Sequence, residues 1–256
     1  MPDTTSLPAF RVSLALTDKD RACAKRLRYD VFVRELGAGG PMVDHTLELE
    51  QDRFDDFADH MLVHDTNSGR LAGVYRLLRT DQAARAGGFY CEDEYDLSLL
   101  TNANKSLLEL GRSCLHPDFR GTMALYHLWG GLAGYVADHQ IDILFGVASF
   151  HGTNPQSLAA PLSLLHHSHL APPELRVRAR AEHFQPMNLT SRQSLDRRGA
   201  MIAMPPLIKA YLRLGGTVGE GAFVDHTFNT TDVCLILQTS DMNQRPAQIY
   251  TQGRPT

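Results

Sequence analysis

One segment limits the possible folds more than any other. Residues 106–115 read as a strand, a Pro117-x-x-Arg120-Gly121 turn follows, and the chain passes directly into 17 residues without a charged side chain, 121–137. A strongly apolar strand, 142–150, comes next. Backbone N–H groups at a helix N-terminus, assisted by an arginine, form an anion site. The charge-free stretch is shorter than the ~20 apolar residues a membrane-spanning helix needs. It also holds four glycines and His127 between Arg120 and Asp138, so it reads as a buried core helix.

Strands and helices interleave along the rest of the chain. Residues 10–16 alternate as a strand, and Thr17 with Asp20 predicts a capping-box start to a helix through about Glu35. Its apolar stripe is Cys23, Leu27 and Val31, and Arg28 and Phe32 share a neighbouring face. Residues 37–41 end that helix, and residues 44–59 then carry seven acidic side chains against Arg53. Residues 60–65 and 71–78 predict a hairpin about Asn67-Ser68-Gly69. A helix opens at Asn154-Pro155, a basic strand covers 175–181, a helix runs from Pro205-Pro206 to Gly215-Gly216, and a last strand covers 232–238. The pattern predicts a mixed α/β sheet covered by helices.

With 256 residues, 43% apolar and 21% charged, the chain has the composition of a soluble globular protein and a length that suits one large domain or two small ones. A net charge of −4 gives no global field toward nucleic acid, so no nucleic-acid partner is expected. The four cysteines are dispersed, with no CxxC pair to indicate a disulfide framework. No basic segment followed by an apolar one opens the chain, so no signal peptide is read and the expected location is cytoplasmic. His166, His167 and His169 cannot all converge on one ion from a helix, and no metal is expected.

The segment from Glu109 to Val136 resembles the phosphate-holding motif of the GNAT acyltransferase superfamily. In that superfamily a strand, a turn and a helix cradle the pyrophosphate of an acyl-coenzyme A. Arg120 fits the pattern, but Met123 and Leu125 stand where small residues belong. Bulky residues crowd a diphosphate, whereas glycine lets backbone approach a ligand. A donor with one phosphate there, the phosphopantetheine arm of an acyl-carrier protein, is therefore favoured, with no permanently bound cofactor.

Arg28 and Phe32, Asp52 and Asp55, Arg76, then Glu109 and Arg112 follow one another in the order of the polar signature of the acyl-homoserine-lactone synthases, which the chain resembles to about residue 150. The segments 164–180, 205–216 and 222–237 resemble instead the ornithine lipid synthases, the L-ornithine N-acyltransferases of bacteria. That likeness spans roughly residues 12–238. It implies a single GNAT-type domain over 1–256: a core of 1–150 and a family-specific half, 151–256, completing a mostly antiparallel, twisted sheet. It also implies transfer of a 3-hydroxyacyl group from acyl-carrier protein to the α-amine of ornithine, giving lyso-ornithine lipid.

An α-amine with a pKa near 8 is mostly protonated at neutral pH, so a base must take its proton. Glu109 is the candidate, with Arg112 beside it. On a regular strand the two point to opposite faces, and a β-bulge at Gly111 would bring both to one cleft and turn N–H groups toward an oxyanion. A salt-bridged Glu–Arg pair on a sheet surface is the alternative. Arg28, Arg76 or Arg112 can take the substrate carboxylate and Asp52 and Asp55 its side-chain ammonium, unless the acidic loop is merely solvated. Phe32 either lines the pocket or joins the core. Gly111, Arg120, Gly121, Ser149 and Asn154 form the expected donor side.

Residues 176–213 hold eight cations, Arg176, Arg178, Arg180, Arg192, Arg197, Arg198, Lys209 and Arg213, against Glu182 and Asp196. This stretch can dock an acidic carrier protein or meet anionic lipid at the inner membrane, or be a solvated face. Asp225, His226 and Asp232 precede the last strand and serve either proton transfer or turn formation. Acylation of another amino acid such as glutamine, and a non-catalytic module binding carrier protein or lipid, are the competing functions.

Overall fold

The computed structural model describes residues 9–40 and 42–241. The extreme N-terminus and Pro41, on which two of the readings above fall, lie outside those residues. Two compact units emerge among these residues, 9–77 with Gly111–His139 and Leu78–Leu110 with 140–241. The strands Leu71–Arg79 and Leu107–Leu115 each begin in one unit and end in the other.

In the first unit Phe10–Leu14 pairs antiparallel with Asp59–Asp65, which forms a hairpin with Leu71–Arg79. The expected capping box is present: Asp20 N–H donates to Thr17 Oγ1 at 3.1 Å and Thr17 N–H to Asp20 Oδ2 at 3.0 Å. The helix Asp18–Arg28 then widens into a π-helical stretch, Tyr29–Glu35. Its buried stripe is Ala24, Leu27 and Val31, packed with Leu62, Val74 and Cys114. Cys23, expected on that stripe, faces solvent, because Ala24 at i−3 from Leu27 lies closer to the inward direction.

The charge-free helix is Ala124–Asp138, starting later than Arg120 because Pro117–Phe119 makes a 3₁₀ turn and Gly121 sits at φ +76°. It packs on Phe10–Leu14 and Asp59–Asp65. A Cβ on Gly131 would come within 2.5 Å of Val12 Cγ1 and 3.2 Å of Met61 Sδ, so this glycine permits the close helix–sheet contact. No helix among the described residues is long and apolar enough to cross a membrane.

In the second unit Leu107–Leu115 runs parallel to Ile143–His151, which pairs antiparallel with Thr230–Gln238 along its whole length. Ala222–Asp225 and Phe184–Gln185 continue this sheet antiparallel. The basic strand expected over 175–181 shrinks to Arg178–Ala179, and the His-rich helix begins at Ala159, after the turns that follow Asn154-Pro155. The architecture is thus mixed α/β, with mostly antiparallel strands flanked by helices.

Candidate active site

Five of the charges expected to bind substrate or line the site, Arg28, Asp52, Asp55, Arg76 and Arg112, lie together with Glu50 in the first unit, and the six pair with one another. Arg28 grips Asp55 with both terminal nitrogens, at 2.6 and 3.1 Å, and its Nε donates to Glu50. Arg76 Nη1 donates to Asp52 at 2.5 Å and to Asp55 at 3.1 Å. Arg112 completes the ring, Nε to Glu50 at 3.0 Å and Nη2 to Asp52 at 3.1 Å. Three guanidinium and three carboxylate groups cancel in charge. Arg28, Glu50, Asp55 and Arg76 are buried, and Arg112 is nearly so.

Burial opposes ionisation of Asp55, but Arg28 and Arg76 beside it prevail and hold its carboxyl well below the usual range. Burial likewise opposes ionisation of Asp52 and Glu50. Arg76 and Arg112 lower the former, and Arg28 and Arg112 the latter. His60 meets the Asp55 carbonyl at 3.0 Å, and burial depresses its pKa. The acidic loop is therefore not merely solvated: Glu50, Asp52 and Asp55 turn inward. Glu50 and His60 were missed in the sequence, where nothing but membership of an acidic run marks Glu50. Phe32 packs against the Leu27–Val31–Leu62 core.

Arg112 has φ +54°, an uncommon conformation for a side-chain-bearing residue that costs about 1 kcal/mol. The left-handed residue of this strand is thus Arg112. Gly111, expected to host a bulge, does not have positive φ, and a Cβ there would meet Arg76 only at ordinary contact, 3.7 Å. Two ion pairs to buried carboxylates offset the strain at Arg112.

Glu109 belongs to the second unit and is 4% exposed. Its carboxylate accepts the backbone N–H of Tyr90 at 2.9 Å and of Cys91 at 2.6 Å. These groups open the 3₁₀ turn Tyr90–Asp93, where N–H groups lack partners within the turn. The parallel ladder ends at Glu109↔Phe145, and Phe145 stacks edge-on against Phe89 at 5.0 Å. Close by in sequence, Glu94 groups with Asp225 and Asp232, their oxygens within 4.8 Å of one another, an arrangement suited to a cation. Asp225 also accepts the N–H of Thr227 and Phe228, as turn chemistry requires.

On the expected donor side, Gly121 occupies the left-handed region that favours glycine, ahead of the Ala124–Asp138 helix N-terminus. Arg120 grips Glu35 with two 2.6 Å bonds, so an incoming phosphate would have to displace that carboxylate. Ser149 is exposed in the second unit, and Asn154 Oδ1 accepts Gln156 N–H at 3.0 Å, closing a turn. A cavity of about 450 Å³ lined by Ser98, Asn102, Lys105, Glu174 and Gln238 includes none of the expected site residues. His167 bonds the Thr190 carbonyl at 2.8 Å.

Residues 27–130 match the acetyltransferase (GNAT) domain family. The L-ornithine N(alpha)-acyltransferase of Rhodobacter capsulatus is 53% identical over 249 residues, 95% of each chain. That of Brucella abortus is 40% identical, covering 94% of this chain and 89% of its own. Among solved structures, an N-acyl amino acid synthase from uncultured soil microbes superposes with a TM-score of 0.53 at 13% identity, covering 97% of this chain and 99% of its own. A CoA-dependent acyl-homoserine lactone synthase gives 0.55 at 14%, covering 97% and 92%. At such identities these two speak for the fold alone.

Proposed function

The chain belongs to the L-ornithine N(alpha)-acyltransferase family, and from that premise we propose that it moves a 3-hydroxyacyl group from an acyl-carrier-protein thioester to the α-amine of ornithine, the opening step of an ornithine lipid. The observation that carries the substrate is 53% identity along 95% of the chain to a relative named L-ornithine N(alpha)-acyltransferase. The carrier donor rests on Met123 and Leu125, which crowd a diphosphate cradle.

Glu109 takes the proton. The N–H groups of Tyr90 and Cys91 fix its carboxylate. The freed amine attacks the thioester carbonyl. The C–N bond forms, the carbonyl oxygen becomes an oxyanion that backbone N–H groups near Gly111 stabilise, and the C–S bond then breaks. The nitrogen's second proton passes to the departing pantetheine thiolate, and Glu109 releases the first to solvent. In this reading Arg28, Asp52, Asp55, Arg76 and Arg112 hold the scaffold rather than the substrate, because each already answers another buried charge. Ornithine's second ammonium then falls to Glu94, Asp225 and Asp232.

Purified protein, a 3-hydroxyacyl carrier protein and a pool of amino acids, read by mass spectrometry, test this. N-acylated ornithine is expected. Acylated glutamine in its place sinks the substrate assignment, and the absence of any acyl amino acid sinks the reaction.

A further inference from the structure

The basic stretch of the second unit does not present its charge evenly. Arg178 pairs with Glu220, Arg180 Nε donates to the Glu92 carbonyl at 2.5 Å, and Arg176 Nε to that of Ala171 at 2.7 Å. These three cations are tied to their own unit. The positive surface concentrates further along, over the helices Arg197–Ala203 and Pro206–Arg213.

Packing fixes which side of these helices faces out. Ala200 and Ile208 are wholly buried, and Met204 between the helices nearly so. Arg198 and Ile202 lie two residues either side of Ala200, on the opposite face and one helical turn apart. Ile202 is 70% exposed, among the most exposed large apolar side chains described. Lys209 Nζ donates to the Ile202 carbonyl at 3.2 Å, which brings the second helix's cation beside the isoleucine. Arg213 follows Lys209 by four residues on the same face. Between Arg197 and Arg213 the chain has no acidic residue, and the neighbouring Asp196 spends its carboxylate on the N–H groups of Arg198 and Gly199.

We propose that this surface docks on an anionic lipid bilayer, with Ile202 seated at the boundary between headgroups and acyl chains and Arg198, Lys209 and Arg213 on the phosphates. An apolar side chain projecting from a ring of long cations is the arrangement interfacial helices use, the aliphatic stems covering apolar surface while the charges reach the headgroups. An acidic protein would satisfy the cations as well, but it gives no reason to hold an isoleucine out in water. The surface owes nothing to the catalytic reading and stands or falls separately from it.

The test is cosedimentation of the full chain with vesicles of phosphatidylcholine, pure or with one lipid in three replaced by phosphatidylglycerol. Binding is expected to the anionic vesicles only and to fade with salt. Arg198→Gln with Lys209→Gln should weaken it about twenty-five-fold, at about fivefold per cation. Ile202→Ser should weaken it at unchanged thermal stability, since the site is exposed. In a separate variant, Ile202→Trp should shift its emission to the blue on anionic vesicles. Equal binding to neutral vesicles, undiminished binding by the variants, or no emission shift overturns the proposal. So does loss of affinity for an acidic carrier protein while vesicle binding persists.

Discussion

Two buried acidic regions of this protein are satisfied in different ways. Around Arg28 every charge answers another charge: three guanidinium groups and three carboxylates close a ring whose sum is zero. Around Glu109 a carboxylate is steadied by the dipoles of two peptide N–H groups. A charge locked to another charge is a scaffold, since moving either strands the other in low dielectric. The Glu109 carboxylate is placed by backbone N–H groups of the turn Tyr90–Asp93. The proposed roles follow that difference, the ring as scaffold and Glu109 as base.

The largest effect should come from breaking the ring. Asp55→Ala leaves Arg28 and Arg76 short of a buried partner and should cost about 3–5 kcal/mol in denaturant unfolding. A loss below about 1 kcal/mol would mean that the ring is no scaffold. Glu109→Gln should move the other observable: turnover falls about a hundredfold or more, while the fold survives. If turnover is kept and stability falls instead, Glu109 merely caps the Tyr90–Asp93 turn.

Acid should find the ring as well. Asp52, Asp55 and Glu50 ionise more readily folded than unfolded, so their contribution is complete above their ordinary values of 3.8 and 4.5 and is lost as pH falls through the lower folded values. His60, depressed by burial, resists protonation when folded and adds a loss that begins as pH drops through 6.5. Unfolding free energy measured from pH 7 downward should therefore decline below about 6.5 and steepen below about 4.5. A flat profile contradicts the ring. The smallest effect is at Gly111, where Gly111→Ala should change stability by less than about 1 kcal/mol, because φ there is ordinary and the nearest contact is 3.7 Å. A larger loss would place a strand irregularity at Gly111.

Much of the fold was readable beforehand, through rules that act over a few residues. The Thr17–Asp20 box, the Asn67-Ser68-Gly69 hairpin and the charge-free helix depend on local hydrogen bonds and on which side chains avoid water, and all three stand. The ordering of Arg28, Asp52, Asp55, Arg76 and Arg112 was readable too, through resemblance, and all five join the ring that Glu50 closes.

Their partnership was not readable. Whether Arg28 meets a substrate carboxylate or Glu50 depends on residues 22 and 27 positions away in the chain, a distance that sequence periodicity cannot span. The same holds for the π-helical widening after Arg28, the left-handed backbone at Arg112, and the Tyr90 and Cys91 N–H groups that seat Glu109. The sequence determined which elements form and which charges the protein must accommodate. Only the tertiary structure decided which charge neutralises which, because pairing in a low-dielectric interior is set by position in space, to within an ångström, and not by spacing along the chain.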